Sequence, residues 1–362
     1  MFTVKSPAAY VQQAGLRHQI GDRIAPLTNH VRILTSPGAW RSVEPALSDS
    51  LDRAGIRWQL DYLTGECTDD AIALFQRNLL TQGAQGILAV GGGRVLDTAK
   101  AVNNALGDRI LVTVPTLAAT CAAWSPLAIV YNGQGGHLRS QALNAMPALI
   151  LVDSEVIAHS DVRYLRAGIV DALAKWYEFE PFQRQNPHLL ALDVKVSAAR
   201  QAVDAFVRWG REAIYANEQR QVTQALEKVI EANIVLAGLA NSIRGAIATP
   251  GPAHVIHDTL THQPELHNWL HGEKVGFSLL IQSLMANNND NPDRQLLTLL
   301  REYGSPLRLP ELAGDRPSRL AAIAADIRFP VASLEHLPFA FKQSAVEQAL
   351  IATEVRDFSG GS

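Results

Sequence analysis

The sequence predicts an α/β protein of two domains, with a parallel sheet over residues 1–160 and an all-α region over residues 161–362. Three observations lead to this fold class. Short apolar runs alternate with helical segments in the first part, which is typical of parallel, doubly wound sheets. Three consecutive glycines at positions 91–93 separate one such run from a helix. After residue 160 the strand-like runs nearly disappear, and apolar residues recur at helical spacing.

Five buried strands are expected in the first domain, because each run is apolar and is bounded by turn-forming residues. They are Val31–Ser36, Arg57–Tyr62, Gly86–Val90, Arg109–Pro115 and Ala148–Val152. Between them, Thr68 is a suitable N-cap, and the two aspartates that follow it favour a helix that runs to about Leu80. Val95–Ala105 predicts a second helix. Strand and helix therefore alternate along this part of the chain.

The second domain is predicted to be helical throughout. Its apolar residues recur at helical intervals in three long segments, namely Val162–Glu180, Leu190–Ala216 and Gln219–Ile243. No internal repeat or low-complexity segment interrupts this pattern. The change from strand-like runs to helical spacing near residue 160 is the basis for placing the domain boundary there.

The composition is that of a globular chain, and it excludes several other classes. Of the 362 residues, 47% are hydrophobic and 19% are charged, which is enough for a large core. The formal net charge of -3, without a basic block, gives no reason to expect nucleic acid as a partner. The two cysteines, Cys67 and Cys121, exclude a disulfide framework and favour a reducing, cytoplasmic location. No apolar run predicts a signal peptide or a membrane-spanning helix.

Residues 253–274 form a histidine-rich segment that holds five of the chain's 11 histidines. Imidazole is a common ligand for zinc and iron(II), so the segment is a candidate metal site. A polar loop that happens to be rich in histidine is the simpler explanation. The composition of the segment alone leaves both explanations open.

The glycine turn at positions 91–93 is a candidate phosphate-binding site. Glycine lets backbone N–H groups approach a phosphate, and the N-terminus of the following helix adds a favourable dipole. The spacing is not the G-x-G-x-x-G pattern of common dinucleotide-binding folds, so a tight turn without a ligand is an equally good explanation. Asp97 and Lys100 follow on the first helical turns, where a solvent-facing helix surface is the simpler explanation for each.

Five blocks of the sequence occur in a characteristic order: GGGRVLDTAK (91–100), VPTLAATCAAWSPLAIVY (114–131), AGIVDALAKWYE (167–178), HVIHD (254–258) and LHGEKVGF (270–277). Together they resemble the glycerol dehydrogenases of the iron-containing (group III) alcohol dehydrogenase superfamily. The resemblance extends over nearly the whole chain, through ALEKVIEAN (225–233) and EHLPFAF (335–341). It implies the dehydroquinate synthase-like fold, in which a dinucleotide-binding domain and a helical domain enclose a divalent metal and a nicotinamide. It also implies a homo-oligomer, at least a dimer.

The resemblance assigns the metal ligands to one carboxylate and two imidazoles, namely Asp171, His254 and His271. This donor set suits zinc or iron(II), and three protein ligands leave coordination positions open. A metal there would polarise a carbonyl while hydride moves to or from nicotinamide. His257, one helical turn from His254, is expected beside the ligands, whereas His262 and His267 are expected at the surface or at a hinge.

The cofactor contacts are also implied by the family, residue by residue. The family's pyrophosphate turn matches Gly93, Arg94, Val95, Leu96 and Asp97, and its second nucleotide loop matches Thr116, Leu117, Ala118 and Ala119. Positions near the nicotinamide match Ser125, Leu127 and Tyr131. For Leu127 and Tyr131, packing within a strand is an alternative explanation.

One departure from the family bears on the choice of cofactor. NAD-dependent glycerol dehydrogenases carry an Asp after the first strand, where it binds the adenine ribose. Here the strand ends in LTSPG (34–38), without an acid. A missing carboxylate removes repulsion against a 2′-phosphate. Ser36 and Arg41 are candidates to bind that phosphate, so NADP(H) is predicted in preference to NAD(H).

A second departure bears on the substrate. Cys121 stands where glycerol dehydrogenases have an Asp that holds a substrate hydroxyl, and Trp124 adds bulk beside it. A pocket without this carboxylate favours an anionic substrate, and TCAAW (120–124) resembles the hydroxycarboxylate dehydrogenase branch of the family. The predicted reaction is therefore the reduction of a small 2-oxo acid to its 2-hydroxy acid. Arg244 and Lys274 are candidates to hold the carboxylate, although Lys274 also fits a plain surface position. Cys67 is expected to be inert, and no nucleophilic role is expected for Cys121.

Other functions are open at this point. An NAD-dependent glycerol or 1,2-diol dehydrogenase is the first alternative, and it would oxidise glycerol at alkaline pH. A sugar-phosphate cyclase related to dehydroquinate synthase shares the fold, the metal and NAD but is a lyase, and the sequence has no evident basic cluster for a phosphate. A non-enzymatic metal-binding scaffold is the third. Net consumption of reduced cofactor separates an oxidoreductase from the other two.

Overall fold

A six-stranded parallel sheet dominates the N-terminal part of the computed structural model, which describes residues 2–358 and 360. The strands of the described residues are β1 (Thr3–Val4), β2 (Tyr10–Gln13), β3 (His30–Thr35), β4 (Arg57–Tyr62), β5 (Gly86–Gly91), β6 (Ile110–Pro115), β7 (Leu127–Tyr131), β8 (His137–Ala142), β9 (Leu149–Asp153) and β10 (Ile243–Arg244). The sheet has the order β2-β9-β6-β5-β3-β4, and every neighbouring pair is parallel. The five predicted strands are confirmed as β3, β4, β5, β6 and β9, with ends that shift by one residue at most.

The helices alternate with these strands and then form the C-terminal half. They are α1 (Ile20–Ile24), α2 (Pro37–Val43), α3 (Ala46–Arg53), α4 (Asp69–Gln82), α5 (Gly93–Leu106), α6 (Ser154–Ala158), α7 (Val162–Gln185), α8 (Leu190–Glu218), α9 (Gln224–Glu231), α10 (Ala237–Ser242), α11 (Pro252–Leu260), α12 (His271–Ala286), α13 (Arg294–Glu302), α14 (Arg316–Asp326) and α15 (Gln343–Val355). The predicted cap of α4 is confirmed, since Oγ1 of Thr68 accepts a hydrogen bond from the backbone N–H of Ala71 at 3.2 Å. Within the described residues, none of these helices has the length and apolar character needed to cross a membrane.

The two faces of the sheet pack against different layers. Along β5, Ile87 and Ala89 join the main core cluster, whereas Leu88 and Val90 join a second cluster that includes residues of α1, α2 and α3. Successive side chains of a strand point to opposite faces, so burial on both sides explains why β5 is a continuous apolar run. The main cluster continues through the helical half as far as α15. Packing therefore shows no gap at residue 160, and the boundary placed there stays a prediction.

Most of the segment Gln219–Ile243 is helical, as its apolar spacing predicts, but its helix begins later than residue 219. The chain reverses at Arg220, which has a φ of 55°. A new helix, α9, then begins behind Thr223, whose side chain accepts a hydrogen bond from the N–H of Leu226. A π-helical turn at Ala232–Leu236 separates α9 from α10. The helical prediction is therefore confirmed over residues 224–242, and it began about five residues too early because apolar spacing does not report the N-cap at Thr223.

Five strands of the described residues were not predicted, and most of them are short or polar. The edge strand β2 has the sequence YVQQ and pairs only with β9. The antiparallel hairpin of β7 and β8 lies outside the main sheet. The two-residue strand β10 pairs with β1 and ties Arg244 to Thr3 near the N-terminus. The last of these pairings places Arg244 at the edge of a cleft described below.

Candidate metal centre and nucleotide cleft

Three predicted ligands meet at one point although they lie on three different helices. Oδ1 of Asp171 on α7 lies 3.3 Å from Nε2 of His254 on α11 and 3.3 Å from Nε2 of His271 at the start of α12. The three ligand atoms all lie within 4.8 Å of one another. Two imidazoles and one carboxylate are a donor set that zinc and iron(II) accept. The residues present therefore fit a divalent transition metal.

Two glycines allow the helices to approach closely enough to form this site. A Cβ at Gly272 would lie 1.9 Å from the carbonyl oxygen of Ala167, so only glycine lets the start of α12 rest on α7. A Cβ at Gly168 would lie 1.9 Å from the carbonyl oxygen of Ala118, so α7 in turn rests on the loop after β6. These contacts place His271 beside Asp171, and they place both residues beside the loop after β6.

Glu178 orients one of the ligands and was missed by the sequence analysis. Its carboxylate oxygens lie 2.9 and 2.8 Å from Nδ1 of His254, and Oε1 also accepts the backbone N–H of that histidine at 2.8 Å. Because Nδ1 is engaged, Nε2 is left for a metal. Glu178 is two helical turns beyond Asp171 on α7, and this spacing was the signal available in the sequence.

Opposite charges around the proposed metal ligands stabilise the charged forms of Asp171 and His254. Burial opposes protonation of His254, but the carboxylates of Glu178 and Asp171 outweigh burial and raise its pKa to about 9. Burial likewise works against ionisation of Asp171, but Lys175 and His271 hold its pKa well below the usual range. The acidic ligand is therefore ionised at neutral pH, as metal binding requires.

Lys175 is a second residue that the sequence analysis missed. Its Nζ lies 3.2 Å from Oδ1 of Asp171 and 3.2 Å from Nε2 of His254. The side chain is buried on the same face of α7, one turn after the acidic ligand. An ammonium group thus contacts two of the three ligand atoms, and a metal has to compete with it for them.

The remaining histidines of the segment separate into two groups. His257 is buried, with its ring centroid 4.4 Å from that of His271, and its Nδ1 lies 3.1 Å from Oδ1 of Asp258. Burial lowers the pKa of His257 to about 3, so this imidazole is neutral. His262 and His267 are both exposed, and Nε2 of His262 lies 3.0 Å from the carbonyl oxygen of His137.

A cleft of about 1690 Å³ joins the metal ligands to the carboxyl edge of the sheet. Most of the predicted cofactor residues line it, namely Gly93, Arg94, Val95, Asp97, Thr116, Leu117, Ala119, Ser125, Leu127 and Tyr131. Leu96 and Ala118 lie behind its wall in the main core cluster, and the carbonyl of Ala118 accepts a hydrogen bond from Asn233 at 2.8 Å. The N-terminus of α5 opens into the cleft through Gly92 and Gly93, which suits a phosphate.

Asp97 and Lys100 are not on a solvent-facing surface, so the simpler explanation for these two residues does not hold. Both are buried, and Oδ1 of Asp97 lies 2.9 Å from Nζ of Lys100. The lysine also donates to the carbonyl oxygens of Ser125 and Leu127. The face of α5 that looks polar in the sequence is covered by β7, which α5 packs against. Burial raises the pKa of Asp97, and the ammonium of Lys100 opposes that effect.

The two cysteines are both buried, and only one lines the cleft. Burial raises the pKa of Cys121 to about 11, so the group that faces the cleft is a neutral thiol. Burial also raises the pKa of Cys67, to about 12. Trp124 does not add bulk to the cleft as expected. Its ring lies against α10, where a Cβ at Gly238 would be 2.5 Å from it, and Nε1 donates to Oγ of Ser242 at 3.2 Å.

Both candidate carboxylate-binding residues line the cleft. Lys274 is not at the surface, since it is only 8% exposed and donates to the carbonyl oxygen of Trp269 at 2.7 Å. The simpler expectation of a surface lysine was therefore wrong. Arg244 is solvent-exposed within the cleft and lies at the end of β10.

Comparison with known proteins shows the family of the chain. Residues 7–154 match the family described as iron-containing alcohol dehydrogenase. The glycerol dehydrogenase of Pseudomonas putida is 31% identical over 358 residues, which cover 97% of this chain and 96% of that protein. Hydroxycarboxylate dehydrogenase A of Escherichia coli K12 is 33% identical over 272 residues, which cover 74% of each chain. The crystal structure of a probable glycerol dehydrogenase from Sinorhizobium meliloti 1021 superposes with a TM-score of 0.83, at 28% identity, over 97% of this chain and 98% of that one.

These similarities define a class of enzyme: a metal- and nicotinamide-dependent oxidoreductase that acts on CH–OH groups. The chain belongs to the iron-containing alcohol dehydrogenase family. The family resemblance and the fold expected from it, a parallel α/β domain followed by helices, are thereby confirmed. Glycerol dehydrogenases and hydroxycarboxylate dehydrogenase A are both among the similar proteins.

Proposed function

We propose that this protein transfers a hydride between a nicotinamide dinucleotide and a small CH–OH or carbonyl substrate bound beside a divalent metal. One observation carries the proposal. The side chains of Asp171, His254 and His271 converge on the same cleft that the N-terminus of α5 opens into. A metal site and a phosphate-binding helix end in one cleft are two components that metal-dependent hydride transfer to a nicotinamide dinucleotide uses.

Residues of the chain itself would position the metal and the nicotinamide. Asp171, His254 and His271 would hold zinc or iron(II), which supplies a Lewis acid for the substrate oxygen when bound. Glu178 keeps the imidazole of His254 in one orientation through Nδ1. Buried Lys100 ties α5 to the chain at Leu127, so the wall on which the nicotinamide would rest is rigid.

A vicinal diol such as glycerol is the substrate class that the names of the relatives favour, and NAD is the cofactor we expect to accompany it. The similar proteins from Pseudomonas putida and from Escherichia coli CFT073 are both named glycerol dehydrogenase and are 31% and 29% identical to this chain over almost its full length. Glycerol is therefore the first substrate to test, at alkaline pH, where alcohol oxidation is favoured. A homo-oligomer and a cytoplasmic location stay predictions.

The second candidate is reduction of a small 2-oxo acid with NADPH, and observations in the cleft favour it. Cys121 presents a neutral thiol where a carboxylate would be needed to hold a diol hydroxyl. Ser36 and Arg41 line the cleft beyond the end of β3, and no acid stands between them. Within the described residues, Arg41 has no ion pair or side-chain hydrogen bond, so it is free to bind a 2′-phosphate.

The test is a matrix of metals, cofactors and substrates. Protein loaded with zinc, or with iron(II) under anaerobic conditions, is assayed for oxidation of glycerol with NAD and NADP, and for reduction of 2-oxobutanoate with NADH and NADPH. Turnover in any arm that disappears in Asp171→Asn supports the proposed function. If no combination of metal, cofactor and substrate gives turnover although the loaded protein binds metal and dinucleotide, the proposal is wrong. The arm with the largest kcat/KM decides between the two substrate classes.

A further inference from the structure

A cationic wall of the cleft has no role in the hydride transfer described above. Arg244, at the end of β10, lines the cleft on the same side as Thr249 and Gly251, which lead into the ligand helix α11. In the part of the chain that the structure describes, its guanidinium makes no ion pair and no side-chain hydrogen bond. An arginine that faces a cleft without an acidic partner is available to a ligand.

A second cation lies behind this wall. Lys195 on α8 is 2% exposed, and its Nζ donates to Oγ1 of Thr249 at 2.8 Å and lies 4.1 Å from the ring centroid of Phe179. No carboxylate of the described residues lies within salt-bridge distance of this ammonium. A buried ammonium without a carboxylate partner is unfavourable, and a bound anion would relieve that cost.

Thr249 lies between the ammonium group of Lys195 and the cleft. Its Oγ1 accepts the hydrogen bond from the ammonium, so the hydroxyl proton points elsewhere, and the residue lines the cleft. A hydroxyl that accepts from a cation is a stronger donor than an isolated one. Thr249 and Arg244 therefore present donors to the same space.

The electrostatic balance of this region lacks negative charge. Burial and, to a smaller extent, the neighbouring Arg244 together lower the pKa of Lys195 to about 7. The carboxylate of Glu178 raises the pKa of Lys195, but it is already hydrogen-bonded to His254. Lys175, which contacts the ligand atoms, adds another positive charge on that side. An anion bound between these groups would complete the charge balance.

We propose that Arg244, Thr249 and Lys195 form an anion subsite that binds the carboxylate of the substrate. The subsite rests on the proposed function, since it assigns that reaction to small 2-oxo and 2-hydroxy acids. A guanidinium and a polarised hydroxyl match the two oxygens of a carboxylate. A phosphate would meet the same donors, so inorganic phosphate is the competing ligand in the test.

Substrate discrimination is the first readout. The ratio of kcat/KM for 2-oxobutanoate to that for neutral hydroxyacetone is measured with the metal-loaded enzyme. Arg244→Met should lower this ratio about 10- to 100-fold, the range expected for the loss of a hydrogen bond to a charged group. Arg244→Lys should retain part of it, and Lys195→Met should lower it about tenfold. Arg211→Met is the matched control, because that arginine is on the same helix as Lys195 with its side chain 83% exposed.

Binding without turnover is the second readout, and it separates this proposal from the proposed function. Thermal stabilisation of the metal-free protein by propanoate is compared with that by propanamide and by inorganic phosphate. Propanoate alone should raise Tm in the wild type, and the increase should be lost in Arg244→Met but not in Arg211→Met. Equal effects of propanoate and propanamide, a preference for phosphate, or an unchanged substrate ratio in a folded Arg244→Met would overturn the subsite. If turnover fails while selective propanoate binding persists, the proposed function is wrong and the subsite stands.

Discussion

The ammonium group of Lys175 lies 3.2 Å from Nε2 of His254, the nitrogen that the proposed metal site needs. The same ammonium lies 3.2 Å from Oδ1 of Asp171. Two ligand atoms are thus partnered by a cation of the protein itself. A divalent metal at this site and the Lys175 ammonium repel each other and share the same acceptors, which makes the affinity for metal sensitive to this side chain.

Replacement of Lys175 by Met should tighten metal binding. Removal of the competing charge leaves Asp171 and His254 free, and we expect the zinc dissociation constant to fall at least about tenfold, which corresponds to ~1.4 kcal/mol. Competition against a chromophoric chelator at pH 7 measures it. Lys342→Met, at an exposed position, is the control. Weaker zinc binding in Lys175→Met would show that the lysine supports the site instead of competing for it.

Replacement of Glu178 by Gln should weaken metal binding. The amide keeps the shape of the side chain but loses the charge that fixes the imidazole of His254 and increases its basicity. Loss of such a partner costs about 10- to 100-fold in metal affinity. Metal content after dialysis against graded chelator measures the effect. Retention of full affinity in the variant would mean that Glu178 serves only to position the start of α11 through the backbone N–H it accepts.

Replacement of Gly272 by Ala should destabilise the fold and open the metal site. The added Cβ would lie 1.9 Å from the carbonyl oxygen of Ala167, so the start of α12 must move away from α7 and carry His271 with it. Overpacking of this kind costs about 1–3 kcal/mol. A lower Tm and a lower zinc content should appear together. Gly133→Ala is the control, because its added Cβ meets nothing within 4 Å. A normal Tm and full zinc content in Gly272→Ala would contradict the proposed role of this contact.

Replacement of Ser36 by Asp should shift cofactor preference toward NADH. Ser36 is the N-cap of α2 and accepts the N–H of Ala39 at 3.4 Å, a role that Asp performs equally well, so the fold should be kept. The new carboxylate would repel a 2′-phosphate, and we expect NADPH to bind at least about tenfold more weakly while NADH is unaffected. Fluorescence titration of both cofactors measures this, with Ser36→Asn as the neutral control. Equal binding of NADH and NADPH by the wild type would remove the basis of the prediction.

Much of the fold was predictable because its signals are local. The run GILAVG predicts a strand buried on both faces, and Thr68 predicts the start of α4. The residue blocks around Asp171, His254 and His271 indicate the three ligands through family resemblance. Each of these signals lies within a few consecutive residues, which is the range over which capping, periodicity and motif spacing operate.

Other features depended on contacts between distant segments. Asp97 and Lys100 look like a polar helix face until β7 covers them. No local pattern reports which segment packs against a helix, because burial is set by the neighbour and not by the spacing.

The sequence by itself determined the alternating α/β domain, the helical half, the glycine turn and the three candidate ligands. Only the tertiary structure decided what surrounds those ligands. Glu178 and Lys175 share a face of α7 by their spacing, but their bonds to His254 exist because α11 packs against that face. Arg244 reaches the cleft because β10 pairs with β1 at the other end of the chain. Helix and strand formation are governed by neighbouring residues, whereas a site assembled from several elements is governed by how their buried faces pack together.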